Sequence, residues 1–159
     1  MPVAPTELRD VPLLADLPEW ALDSLAARAE IRRLEAGAPI VAQHAEADAV
    51  FVLLEGSAEI LLRFEGVGDL LVGVVRKRGG VIGWSALREP HRYTGSVRSE
   101  EPSLLLRLPR EAFEEVFARD GRVGAKILRR VAGTVDERLQ AALGLLHSPS
   151  ATTPVEPPS

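Results

Sequence analysis

Apolar residues recur along this chain in distinct rhythms, and the order of those rhythms predicts the architecture. After a proline-containing lead, Leu17-Pro18-Glu19 opens a stretch in which Trp20, Leu22, Leu25 and Ala29 fall at helical spacing, so a helix is expected to end near Glu30. From Ile31 the spacing shortens to that of strands. "IRRLEAGAPIVAQ" carries a turn at Glu35-Ala36-Gly37, and "AVFVLLEGSAEILLRF" holds two apolar runs hinged at Glu55-Gly56, which predicts a hairpin buried on at least one side. In its second run Ala58, Ile60, Leu62 and Phe64 share one face, Ser57, Glu59 and Arg63 largely take the other, and Leu61 breaks the alternation. "FEGVGD" is the next turn and "LLVGVVR" the next strand, while "YTGSVRS" and "SLLLRL" form a further pair across Glu100-Glu101-Pro102. Short strands at such spacing predict an antiparallel sandwich or barrel, and a jelly roll fits.

The helical rhythm returns at Pro109, a good first helical residue, with Ala112, Phe113, Val116 and Phe117 as the apolar stripe of a helix of about two turns. Asp120-Gly121 ends it. A longer helix is expected from about Arg122 to Leu146, with Leu128, Val131, Val135, Leu139, Ala142 and Leu146 at intervals of three and four. The closing "SPSATTPVEPPS" is rich in proline and poor in large apolar side chains, so residues 148–159 are expected to be a disordered tail behind a domain spanning 1–147.

Composition narrows the function classes. A length of 159 residues with 46% hydrophobic content allows one domain with a real core. A formal charge of −4, with no basic run longer than Arg76-Lys77-Arg78, argues against a nucleic-acid-coating protein. Without cysteine there are neither disulfides nor thiolate metal sites. The chain shows no secretion signal, and runs such as Val50 to Leu54 and Leu70 to Val75 break long before the roughly 20 residues that span a bilayer. The expected compartment is the cytoplasm.

One stretch resists the strand pattern. "VIGWSALREPHRYTGSVR", residues 81–98, breaks the sheet with a glycine-bounded turn and one short helical turn before an Arg-Tyr-Thr strand start. Backbone N–H groups freed by such a break need partners, and an anion can serve.

In this order of elements the chain resembles the cyclic nucleotide-binding domain shared by bacterial Crp/Fnr regulators and the regulatory subunits of protein kinase A. The resemblance covers about residues 8 to 145. "VPLLADLPEWALDSLAARAEIRRLEAGAPIVAQ" looks like the family's N-terminal helix and first strands, "VFVLLEGSAEI" like its strand-Gly-strand segment, and "GGVIGWSAL…RYTGSV" occupies the place of the phosphate-binding cassette. The implied fold is mainly β with flanking helices: a β jelly-roll barrel, or double-stranded β-helix, with an N-terminal helix, a short cassette helix and two C-terminal helices. In the family the cassette helix points its N-terminus at the cyclic phosphate. Here Gly83, Trp84, Ser85 and Ala86 would offer their N–H groups, with Arg92, Tyr93 and Thr94 beside them.

Two departures stand at the specificity positions. The family's glutamate, which accepts from the ribose 2′-hydroxyl, is Trp84 here, and ungapped counting puts Tyr93 where the family has its phosphate-binding arginine. Arg92 lies one residue earlier, and one residue on a strand turns a side chain to the other face. The usual glycine of an earlier turn is replaced within Ala45-Glu46-Ala47-Asp48. Trp84 reads either as a stacking surface or as a filler of the ribose hollow. Arg92 either neutralises a phosphate or pairs with Glu89. Thr94 and Ser96 either donate hydroxyls to the same anion or are ordinary strand residues.

Catalytic readings find little support. His44, His91 and His147 sit in a loop, the cassette and a helix end with no His-x-His pair, and Ser85 lacks a Gly-x-Ser-x-Gly elbow. A DNA-binding helix-turn-helix would need several tens of residues after the long helix, where about a dozen follow. The expected protein is a stand-alone sensor of the Crp/Fnr type without the helix-turn-helix domain. It would be no enzyme, would need no cofactor or metal, and would bind cAMP or another phosphate-bearing nucleotide at residues 83–94. Its signal would pass through the C-terminal helices to a homodimer or an unknown protein partner, without DNA binding by this chain alone and without a membrane. The alternative is a structural or scaffolding dimer whose degenerate pocket Trp84 and Tyr93 plug.

Overall fold

The structure is a computed structural model that describes residues 2–146; His147 and the predicted tail lie outside the described residues. The lead forms a short helix α1 (Pro5–Leu8) and a 3₁₀ turn (Pro12–Leu14), each with a proline in its first turn, where a missing N–H costs nothing. Helix α2 (Glu19–Ala26) buries Ala21, Leu22 and Leu25. It stops short of the predicted Glu30, because Arg28 and Ala29 fold into turn bonds to Leu25 and Ala26 and Glu30 already opens the first strand.

Eight strands follow: β1 (Glu30–Leu34), β2 (Pro39–Val41), β3 (Ala49–Glu55), β4 (Ala58–Phe64), β5 (Gly68–Val75), β6 (Val81–Ile82), β7 (Ser96–Ser99) and β8 (Ser103–Pro109). They build two four-stranded antiparallel sheets in the orders β1-β8-β3-β6 and β2-β7-β4-β5. Val50, Val52, Leu105 and Leu106 of the first sheet share one core with Val41, Ala58 and Val97 of the second, which is the jelly-roll arrangement.

The predicted hairpin about Glu55-Gly56 is not one. β3 and β4 lie in different sheets, as do β7 and β8. Both crossings are corners, and they interlock: Glu100 N–H donates to Ser57 O at 2.9 Å, and the Ser57 hydroxyl donates to Glu100 Oε2 at 2.7 Å. The adjacent runs form neighbouring strands in sequence, but a strand buried along both faces like β3 belongs at a sheet interior, and the chain leaves it at the corner. The hairpin of the fold is β4–β5. Its register slips between Ile60, opposite Gly73, and Leu61, opposite Leu71, where the alternation breaks.

The predicted Tyr93 strand start also moves. β7 begins at Ser96, because Tyr93 spends its backbone on the 44–47 loop, donating to Ala45 O and accepting from His44 N–H. After β8 come α3 (Arg110–Arg119), longer than the expected two turns, and α4 (Gly121–Leu146). The first part of α4 lies on the domain, with Val123, Ile127 and Val131 buried and Arg130 donating to Leu13 O and Ala15 O.

Candidate functional site

The interruption foreseen at residues 81–98 is a single 3₁₀ turn, Trp84–Leu87, entered through Gly83 at φ +79°. That left-handed backbone is open to glycine at little cost. Ser85 and Ala86 are buried, and Ala86 N–H donates to Gly83 O at 3.2 Å, so this N–H is already used inside the turn. Tyr93 is 5% exposed and lies against Gly83 with its hydroxyl donating to Ala49 O at 2.8 Å and accepting from Ala49 N–H at 3.3 Å. Burial, before any other influence, raises the pKa of this phenol above its ordinary value.

Around the turn opens a cavity of about 490 Å³. Its walls are Val41, Ile60, Leu62, Val72, Val74, Ile82 and Val97, contributed by both sheets. The cassette supplies Gly83, Trp84, Ser85, Tyr93 and Thr94, and α4 closes it with Val135, Glu137, Arg138, Leu139 and Ala142. The Ser85 and Thr94 hydroxyls are 3.5 Å apart. A largely apolar chamber with few polar groups and a volume in this range is the usual form of a small-molecule site.

Five of the residues singled out from the sequence therefore meet in one place: Gly83, Trp84, Ser85, Tyr93 and Thr94. Ala86 is buried behind them and Arg92 is not among the lining residues. Arg92 is exposed, donates to His44 O at 3.3 Å and bridges in the backbone to Glu46; among the described residues no ion pair joins it to Glu89. Its placement follows from Tyr93: with the ring turned inward, the preceding side chain faces out. The Ser96 hydroxyl is engaged elsewhere, accepting from Gln43 N–H at 2.9 Å. Trp84 is half-buried, packs on the core and lines the cavity, which remains open beside it. Among the described residues no group of His, Asp and Glu is placed to hold a metal ion, and no helix is long and apolar enough to cross a membrane.

The cation of the cavity is one the sequence reading passed over. Arg138 Nη2 donates to Val81 O, and its guanidinium carbon lies 5.0 Å from the centroid of the Trp84 ring. Burial lowers its pKa to about 10, outweighing an opposite pull from Glu137. A signal was present: Arg138 falls three residues after Val135 and four before Ala142, within the apolar stripe, where a charged side chain needs a reason. The stripe itself splits. Val131 enters the core, Val135, Leu139 and Ala142 line the cavity, and Leu128 is exposed.

Residues 31–120 match the family model for the cyclic nucleotide-binding domain. No curated protein matches the chain at the sequence level. Among solved structures, a putative cyclic nucleotide-binding protein from Geobacter metallireducens is 26% identical with a TM-score of 0.76, covering 86% of this chain and 98% of its own. The regulatory domain of Toxoplasma gondii protein kinase A with cAMP is 20% identical with a TM-score of 0.68, covering 81% of this chain and 48% of its own. The regulatory subunit of a cAMP-independent protein kinase A from Trypanosoma cruzi, bound to guanosine, is 23% identical with a TM-score of 0.67, covering 80% and 44%. With its two sheets in jelly-roll order, a glycine-entered turn at the cavity and a family model matched over more than half of its length, the chain belongs to the cyclic nucleotide-binding domain family.

Proposed function

We propose that this chain is a non-catalytic regulatory module that takes a nucleotide or nucleoside into the cavity between its sheets and passes occupancy on through α4. The observation that carries this reading is the roof: the helix that closes the cavity with Val135, Arg138, Leu139 and Ala142 is the one whose first half packs on the domain through Val123, Ile127 and Val131, so a ligand that prefers one helix position shifts its population. The solved relatives with cAMP and with guanosine support a purine compound as the ligand class. With Tyr93 in place of an arginine in the cassette, the module need not favour a cyclic phosphate. In this reading it is a Crp/Fnr-type sensor acting in the cytoplasm, and exposed Leu128, Val135, Leu139 and Leu145 of α4 pair it with a second copy.

The alternative, a structural dimer with a degenerate pocket, draws on Trp84 and Tyr93 at the specificity positions. The cavity left open beside both residues supports the sensor instead. The test is the melting temperature of the protein with cAMP, cGMP, AMP, adenosine and guanosine. A ligand at about 100 times its Kd adds about 2.7 kcal/mol, a rise of several degrees for a chain of this size. No rise with any of them would favour the structural dimer.

A further inference from the structure

Arg138 is an unusual roof residue. Its side chain is half-buried, and among the described residues no carboxylate lies within ion-pair distance of it. Its hydrogen-bonding partner is one carbonyl, Val81 O, which takes one of five N–H donors. Glu137, the preceding residue, is exposed on the same rim and acts on Arg138 through space without forming an ion pair. A half-buried cation without an ion-pair partner is costly to keep, and the Trp84 ring, its centroid 5.0 Å from the guanidinium carbon, offsets part of that cost. The rest of the cavity surface is mostly apolar, and Arg92 is outside it.

We infer that Arg138 is the anion-recognising residue of this cavity: a nucleoside monophosphate enters with its flat body among the apolar walls and its phosphate on the free N–H groups of the Arg138 fork, beside Trp84. This rests on the nucleotide reading above and adds where the charge is read. A guanidinium binds a phosphate oxygen pair in a fixed plane, so the contact is directional. Because Arg138 belongs to α4, the phosphate grips the helix whose position reports occupancy, and the cassette serves as the wall behind it. A neutral nucleoside can fill the same chamber and leaves the helix without that tie.

Isothermal titration of the full chain with AMP, adenosine and inorganic phosphate separates these contributions. AMP is expected to bind at least about tenfold tighter than adenosine, the order of a charge-assisted contact. Arg138→Gln should bring AMP down to the affinity of adenosine and leave adenosine nearly unchanged, while Arg92→Gln should preserve the preference. Arg138→Lys, which keeps the charge and loses the fork, should keep part of it, and a melting curve for each variant shows that it is folded. Equal affinities of wild-type protein for AMP and adenosine, or a preference that survives Arg138→Gln, overturn the role of Arg138 and leave the nucleotide reading standing. Inorganic phosphate binding as tightly as AMP would overturn the placement of the nucleoside in the chamber. Absence of binding by AMP and adenosine alike would overturn the nucleotide reading together with this one.

Discussion

Tyr93 is built onto Gly83: a Cβ on Gly83 would stand 3.0 Å from Tyr93 Cε1 and 3.2 Å from Ala49 O, so the ring occupies the space that any other residue at 83 would claim. The same contact explains why the residue aligned with the family's arginine is locked in place and does not reach out for a ligand. β6 ends at Ile82, opposite Phe51, and Ala49 two residues farther along has no strand on that side. The Tyr93 hydroxyl serves both the C=O and the N–H of Ala49 there.

Gly83→Ala should therefore destabilise the protein in two ways. The left-handed backbone costs about 1–2 kcal/mol for a residue with a Cβ, and the Tyr93 ring must shift as well. The expected result is a lower urea midpoint with an unchanged slope, together with weaker ligand binding because both residues line the cavity.

Tyr93→Phe should cost about 1–3 kcal/mol, since it leaves buried polar groups of Ala49 without their partner. It should also change the alkaline limb of stability. Burial raises the Tyr93 pKa above 10.0, so the stability tied to the neutral phenol is whole below about pH 10 and falls as pH rises through the higher folded value. Denaturation midpoints between pH 8 and 11 should fall less steeply in the phenylalanine variant than in the wild type. A parallel fall would place the alkaline loss elsewhere.

Gly56→Ala tests the interlocked corners. Gly56 has φ +90°, and an added Cβ would lie 2.3 Å from Ser103 Oγ and 2.7 Å from Pro102 O. Backbone oxygen cannot swing aside, so the two sheet crossings would have to part. A loss of about 2 kcal/mol or more is expected in chemical denaturation.

The dimer proposed through α4 makes a separate prediction. Leu128 is 42% and Leu145 55% exposed, so replacing both by glutamate should leave each protomer folded, with an unchanged circular dichroism spectrum. Sedimentation should then show the wild-type chain as a dimer and the variant as a monomer. A wild-type monomer at micromolar concentration would remove the dimer from the proposed function.

Local chemistry was legible where it depends on neighbours along the chain. The turn at Gly83, the helix after Pro109, the break at Asp120-Gly121 and the crowd of short apolar runs all follow from backbone freedom and periodicity, and they were enough to point to the fold. Five cavity residues could be named because the cassette is nearly continuous in sequence. Strand partnership could not be read, since period-two runs look alike whether the next strand pairs beside them or crosses to the other sheet, as β4 and β8 do at their corners. The cation was missed as well, although its place in the α4 stripe was a signal. Arg92 stood beside the cassette in sequence and Arg138 stood far from it, yet Tyr93 packing on Gly83 turned Arg92 outward, and the return of α4 over β6 carried Arg138 to Trp84. Side-chain direction at a site is settled by the packing of neighbours that are distant along the chain, and only the folded molecule brings those neighbours together.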